Sequence, residues 1–303
     1  MHNLVIIGGG PAGLTAGLYA GRAMLEPILL ERLSPGGQVL TTNWVENYPG
    51  FPGGVGGFDL MDRMKSQAEE FGLKIISTEV KSIVKESGYF SLQTDSQEFK
   101  AKAVILAMGA SPKKLHIPGE ELLTGKGVSY CATCDGFFYR DQEVAVIGGG
   151  DTAIEEALFL TRFCSKVHVI HRRDRLRAIR VLQERAFKEP KIEFIWNTIP
   201  LKILGNDQVQ GLLLRDLKSQ REQELKVQGV FVFIGYAPNS AMVKDLVELD
   251  QMGFVITDAD MRTSQEGMFA AGDIRAKSLR QISTAVGDGA IAANSALRYL
   301  EGY

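Results

Sequence analysis

Leu4 to Ile7 forms a short apolar run that breaks into Gly8-Gly9-Gly10-Pro11-Ala12-Gly13, followed by an Ala/Gly-rich stretch to about Ala23 and a second apolar run, Pro27 to Leu30. This pattern predicts strand, turn, helix, strand. Residues 36–57 are rich in Gly and Pro and carry little helical or strand period, so a long loop of the kind retained for binding is expected there. Two or three β-segments are expected within 74–106, with Ser87-Gly88 as a turn and the buried-looking Ala103 to Ala107 and Gly109 as their end.

From Glu143 the opening pattern repeats. Val144 to Ile147 reads as strand, Gly148-Gly149-Gly150-Asp151-Thr152-Ala153 as turn, Ile154 to Phe163 as helix and Lys166 to Ile170 as strand. Short β-runs are expected at 191–195, 209–216 and 225–234. Apolar runs stop at the Pro- and Gly-bearing stretches Ser111 to Gly119 and Gly235 to Ala241, which are candidate linkers. The tail from Gly267 has no glycine turn of its own and is too short for a domain. It is expected to complete the first domain, which makes the second an insertion.

Composition narrows the classes. With 303 residues, 45% hydrophobic and a formal net charge of -2, the chain has the size of two globular domains and no overall attraction to nucleic acid or an anionic membrane. Met1-His2-Asn3 leads directly into the first apolar run without a basic segment or a long apolar stretch, so a cytoplasmic protein with neither nucleic-acid nor membrane partner is expected. Three cysteines cannot build a disulfide framework.

The two glycine turns carry the first chemistry. Gly8, Gly10 and Gly13 have the G-x-G-x-x-G spacing between strand and helix: the first allows the turn, the second lets pyrophosphate approach the backbone, and the third lets helix and strand pack closely. The helix start then faces the phosphates. Glu31 ends the next strand roughly 20 residues on, where an acid can accept hydrogen bonds from a ribose. The second turn has Gly148, Gly150 and Ala153, and its next strand ends instead in His171-Arg172-Arg173-Asp174-Arg175-Leu176-Arg177. An acid there would repel a 2′-phosphate and arginines can grip it, so this site is expected to select NADP. A solvated basic helix start or a nucleic-acid patch is the plainer alternative for such a charge run.

Between the two turns lie Cys131, Ala132, Thr133 and Cys134, followed by Asp135. Zinc would need two more ligands, and only Cys164 and the scattered His2, His116, His168 and His171 remain; no metal is expected. A buried structural pair and a redox pair both stay open, since a Cys-x-x-Cys can close a disulfide and a nearby positive charge or helix start can activate a thiol. Asp135 could exchange a proton with the pair or simply cap a helix. Cys164, in the apolar stretch Leu158 to Val167, reads as core. Two dinucleotide sites beside a dithiol suggest that NADPH passes an electron pair through a flavin to a disulfide. The first site, with Glu31 and the long loop, is the candidate for FAD.

The motifs together resemble the low-molecular-weight bacterial thioredoxin reductases: Gly8 to Gly13, Gly36-Gly37-Gln38 with Val45-Glu46-Asn47, Cys131 to Gly136, Gly148 to Ala153, His171 to Asp174, and Ala271-Gly272-Asp273 with Arg280-Gln281. The likeness runs from the first strand almost to Tyr303. It implies an α/β fold of two Rossmann-like dinucleotide-binding domains of the three-layer type. The FAD domain would comprise residues 1–113 and 243–303, with an NADPH domain at 114–242 inserted into it and carrying the cysteine pair. The resemblance also implies a homodimer that reduces thioredoxin. It assigns FAD contacts to Gly8, Gly10, Pro11, Ala12, Gly13, Glu31, Gly37, Gln38, Val45, Asn47, Gly272, Asp273, Arg280 and Gln281. NADPH contacts fall on Gly148, Gly150, Asp151, Thr152, Ala153, His171, Arg172, Arg173 and Arg177. In the family the second cysteine faces the flavin and the first exchanges with thioredoxin, which makes Cys134 the flavin-side thiol, Cys131 the interchange thiol and Asp135 their acid-base partner.

The pair lies only about a dozen residues before the strand that opens the second repeat. It therefore travels with the NADPH domain, and a rotation of that domain between half-reactions is expected. Rival readings are a reductase of another thioredoxin-like or peroxiredoxin-linked partner, and a nucleotide-binding redox sensor without turnover. Flavin-type ferredoxin-NADP reductases share the fold but lack the pair.

Overall fold

Leu4, Val5, Ile6 and Ile7 are all buried, as a strand inside a parallel sheet covered on both faces requires. The strand His2–Ile7 pairs in parallel with Ile28–Glu31 on one side and Glu98–Leu106 on the other. The sheet runs in the order Lys74–Ser77, Ile28–Glu31, His2–Ile7, Glu98–Leu106, Tyr89–Thr94, Val80–Glu86, and Met268–Ala270 adds in parallel to Val104–Leu106. This computed structural model describes residues 1–42 and 44–302, with the side chains of Thr41, Thr133 and Cys134 outside the description.

The chain divides into two compact units, Met1–Ser111 with Ala237–Tyr303, and Pro112–Tyr236. In the second unit the strand Glu143–Gly148 takes the central place. It pairs in parallel with Lys166–His171 and Gly229–Phe233, which in turn hold Ile192–Trp196 and Val128–Ser129 at the edges. A three-stranded antiparallel sheet, Thr198–Leu204, Gly211–Asp216 and Glu222–Leu225, accompanies it. This mixed α/β architecture, with a strand, glycine turn and helix repeated in each unit, agrees with the expected fold class.

Several elements go beyond the sequence reading. The loop expected over 36–57 is shortened by a 3-10 turn, Gly37–Thr41, and a small antiparallel ribbon of Trp44–Val45 with Val55–Gly56. A helix then covers Gly57–Glu70, burying Leu60, Met61 and Ala68 at helical spacing. The segment 74–106 holds four strands, joined at Ser87-Gly88 where the turn was expected. In the second unit the helix spans Asp151–Leu160 rather than 154–163, because its first turn begins at the last glycine and Asp151 supplies the acid favoured there. The helix Arg180–Lys188 and the strand Thr198–Leu204 are additional, and the run 225–234 resolves into the end of one strand and the whole of Gly229–Phe233.

The last helix, Ile282–Glu301, packs against Pro11–Arg22. Gly289 makes that approach possible, since a Cβ at this position would overlap the carbonyl oxygen of Ala12. Gly287, two residues earlier in the same helix, has nothing within 4 Å of an added Cβ. Gly289→Ala is therefore expected to cost about 1–3 kcal/mol through overpacking. Gly287→Ala should leave stability unchanged or raise it by up to about 1 kcal/mol. Thermal or denaturant unfolding of the two variants checks the contrast.

Candidate functional site

The first glycine turn is built by close approach. Gly8 takes φ +101°, and a Cβ there would stand 2.5 Å from the Ala107 carbonyl oxygen. One on Gly13 would overlap the carbonyl oxygen of Gly8 itself. Gly10 has open space where its Cβ would be, and Pro11 follows as the first helical residue, where its missing N–H costs nothing. The Gly36 N–H donates to the Gly9 carbonyl at 2.7 Å, bringing Gly37 over the turn, where its Cβ would lie 3.1 Å from Gly10 Cα. Both oxygens of Glu31 accept backbone hydrogen bonds, from Gly9 N–H at 2.6 Å and Leu33 N–H at 2.9 Å. Each oxygen keeps a lone pair for a further donor.

Residues far apart in sequence close on the same turn. A Cβ on Gly272 would meet Ala12 Cβ at 2.8 Å, so the Gly272-Asp273 loop sits at the start of the first helix. The Gln38 amide donates to the Ala110 carbonyl, Val45 is buried, and the Asn47 amide donates to Gln281 Oε1 at 3.0 Å. Gln281 also caps the last helix in a reciprocal exchange with Thr284. Arg280 donates to the Arg275 carbonyl at 3.1 Å and stacks its guanidinium 3.8 Å over the Phe254 ring. Asp273 Oδ1 is buried without a hydrogen bond. Burial pushes its carboxyl above the usual range, against the pull of Lys277 and Arg280. An Asp273 oxygen that faces Lys277 at 3.9 Å but accepts no hydrogen bond, open space over Gly10 and free lone pairs on Glu31 fit a dinucleotide with hydroxyls to donate.

Sequence reasoning missed the group that fixes this loop. Asp288 is buried in the last helix. It accepts from Gly272 N–H at 3.0 Å and pairs with Arg275 at 2.7 Å and Lys277 at 2.9 Å. Its signal was a lone acid on an otherwise Ala/Gly helix face.

The second turn repeats the construction. Gly148 takes φ +155°, a Cβ there would overlap the Phe233 carbonyl oxygen, and Gly150 again faces open space at the helix start. The Arg177 N–H donates to the Gly149 carbonyl at 2.7 Å and the Ile179 N–H to Asp151 Oδ1 at 2.7 Å, so the arginine segment folds back over the turn. Gly150, Asp151, Thr152, Ala153, Arg177 and Tyr130 line one pocket. His171 is buried with Nε2 unpartnered, and burial, aided by Arg177, Arg173 and Arg172, lowers its pKa and holds it neutral. Arg172, Arg173 and Arg177 are exposed, and among the described residues none of them forms an ion pair.

Cys131 is disulfide-bonded and half-buried. Ser129 grips its backbone, its hydroxyl accepting from Cys131 N–H at 3.0 Å and donating to Cys131 C=O at 3.0 Å. Ala132–Asp135 forms one helical turn behind it, and Asp135 is half-buried with no side-chain cap hydrogen bond. The side chain of Cys134 lies outside the described residues. Among those described, no cluster of His, Cys, Asp or Glu is placed to hold a metal.

The family model for pyridine nucleotide-disulphide oxidoreductases matches residues 2–289. The chain belongs to that family. It is 47% identical over 307 residues to a thioredoxin reductase of Peptoclostridium acidaminophilum, covering 99% of this chain and 98% of the relative. The thioredoxin reductase of Bacillus subtilis is 46% identical over 302 residues, covering 99% and 95%. The crystal structure of Lactococcus lactis thioredoxin reductase superposes with a TM-score of 0.96 at 45% identity, covering 100% of both chains. The resemblance to bacterial thioredoxin reductases expected from the motifs is thus borne out over nearly the whole length.

Cys164 is fully buried, and burial pushes its thiol up to about 11 in spite of Lys191. It should resist iodoacetamide at pH 8 in the native protein and label completely in denaturant. Mass analysis of the modified peptide decides this.

Proposed function

We propose that this chain is an NADPH-dependent, FAD-containing thioredoxin reductase, working as a cytoplasmic homodimer with the domain rotation expected from the position of its cysteine pair. The observation that carries the reading is the disulfide-bonded Cys131 ahead of a glycine turn whose next strand ends in arginines that form no ion pair among the described residues, all within one contiguous unit. The high identity to thioredoxin reductases along the entire chain supports the same partner.

Gly10, Glu31, Gly37, Gln38, Asn47, Asp273 and Gln281 would hold FAD. When bound, FAD supplies a carrier that accepts a hydride from a nicotinamide and delivers two electrons to a disulfide. Gly150 and the first turn of its helix would take the NADPH pyrophosphate, and Arg172, Arg173 and Arg177 its 2′-phosphate. In the reduced pair, the Cys131 thiolate attacks a disulfide sulfur of the partner protein, forming a mixed disulfide and releasing one partner thiolate. The Cys134 thiolate then attacks Cys131 Sγ, releasing the second partner thiolate and restoring the intramolecular disulfide. Asp135, uncapped and half-buried, exchanges the proton that keeps the attacking sulfur a thiolate.

The flavin absorbance band should bleach on adding NADPH and return on adding oxidised thioredoxin. Cys131→Ser and Cys134→Ser are each expected to abolish thioredoxin reduction while leaving the flavin band intact; activity in either would refute the exchange. Replacing either Arg172 or Arg173 with Ala should raise the KM for NADPH by about ten- to a hundredfold, since one charge-assisted hydrogen bond contributes about 1.5–3 kcal/mol. The KM for NADH should hardly move, and an equal loss for both would contradict the phosphate assignment.

A further inference from the structure

Tyr130 joins two parts of the second unit that the mechanism above treats separately. Tyr130 lines the pocket shared with Gly150, Asp151, Thr152 and Arg177. Its hydroxyl donates to Glu120 Oε1 at 2.7 Å. Glu120 is only 3% exposed. The same carboxylate accepts the Leu115 N–H on Oε1 at 2.7 Å and the His116 N–H on Oε2 at 2.6 Å. No cation pairs with it among the described residues, so three neutral donors satisfy the buried carboxyl group, and losing one leaves a buried oxygen without that partner. His116 has φ +57°, a left-handed backbone that a non-glycine residue keeps only when its surroundings over-determine it. The Glu120 hydrogen bond is part of what does so.

On its other side Tyr130 is bound to the cysteine. The strand Val128–Ser129 is fixed by its register with Val230 and Phe231. Ser129 Oγ reaches across Tyr130 to both the N–H and the C=O of Cys131, each at 3.0 Å. Residues 129–131 therefore form a closed turn with Tyr130 at the apex, and the hydroxyl bond to Glu120 ties that turn to a buried carboxyl. Burial, reinforced by Glu120, raises the Tyr130 pKa above its ordinary value, so the phenol remains a donor at every working pH.

We infer that Tyr130 is a positioning residue with two separable parts: a ring that forms a wall of the nucleotide pocket, and a hydroxyl tether to Glu120 that holds the Cys131 turn. The wall rests on the NADPH reading given above. The tether does not, because it is defined by Glu120, Ser129 and Cys131, with Thr124 beside the same hydroxyl. The arrangement places any occupant of the pocket against the residue adjoining the interchange sulfur.

The test uses the holoenzyme and two variants, Tyr130→Phe and Tyr130→Ala, with two probes. NADP+ titrated by calorimetry into the oxidised enzyme reads the wall. The iodoacetamide alkylation rate of the pair, after reduction with dithiothreitol, reads the tether. Tyr130→Phe should bind NADP+ within about twofold of wild type, since the ring remains, yet alkylate several-fold faster because the turn is released. Tyr130→Ala should lose about tenfold in NADP+ affinity and alkylate equally fast. The phenylalanine variant thus restores binding without restoring the slow alkylation, a split that a general loss of stability would not produce. Wild-type alkylation in Tyr130→Phe overturns the tether, and wild-type NADP+ affinity in Tyr130→Ala overturns the wall. A wild-type enzyme that takes up no NADP+ refutes the nucleotide reading and the wall with it, and alkylation then judges the tether alone.

Discussion

In both units the glycine that ends the first strand passes within contact distance of the neighbouring chain segment, and that approach leaves no room for a side chain. Gly8 lies against the carbonyl of Ala107, and Gly148 lies against the carbonyl of Phe233. These contacts aim the first helical N–H groups outward over Gly10 and Gly150, where a phosphate can meet them. They also fix where the next strand ends, and hence whether Glu31 or the arginine segment faces the turn. One steric constraint, met twice, thereby organises two sites whose electrostatics differ.

Buried carboxylates hold the loops that the glycine turns leave unsupported. Asp288 binds Arg275, Lys277 and the Gly272 N–H, and Glu120 binds three neutral donors. Surface pairs such as Arg32–Glu79, at 3.8 Å with both side chains well exposed, add little, because water solvates and salt screens both charges. Breaking a buried pair costs about 3–5 kcal/mol, because the stranded charge has no water to turn to. The loop bearing Asp273 thus takes its definition from a residue fifteen positions further along the chain, and the turn bearing Cys131 from one eleven positions back.

Much of this was legible in the sequence wherever a residue type is forced by geometry. The two glycine turns and their flanking strands follow from spacing, and the return of the tail to the first unit from its shortness and its lack of a glycine turn. The helix Gly57–Glu70 escaped because it opens inside a Gly/Pro-rich stretch, although Leu60, Met61, Met64 and Ala68 carry a helical period once that stretch is left behind. The helix Arg180–Lys188 was masked by the arginine run before it. Polar anchors were harder still. Nothing local separates Glu120 from Glu121 beside it, yet the first is buried and the second exposed. Asn47 and Gln281 meet across 234 residues, a distance that no periodicity spans.

The helix Ile282–Glu301 lies on Pro11–Arg22, and Met268–Ala270 completes the sheet beside Val104–Leu106. The first unit therefore needs both ends of the chain, whereas Pro112–Tyr236 is contiguous. During synthesis the inserted unit has its whole core available while the earlier residues still lack a strand and a covering helix. Until residue 301 leaves the ribosome, the helix Gly57–Glu70 covers only part of Pro11–Arg22, and the face that meets Ile282–Glu301 stays open. The part of the chain made first is the part finished last, and a nascent chain stalled between those events exposes the surface most prone to aggregate.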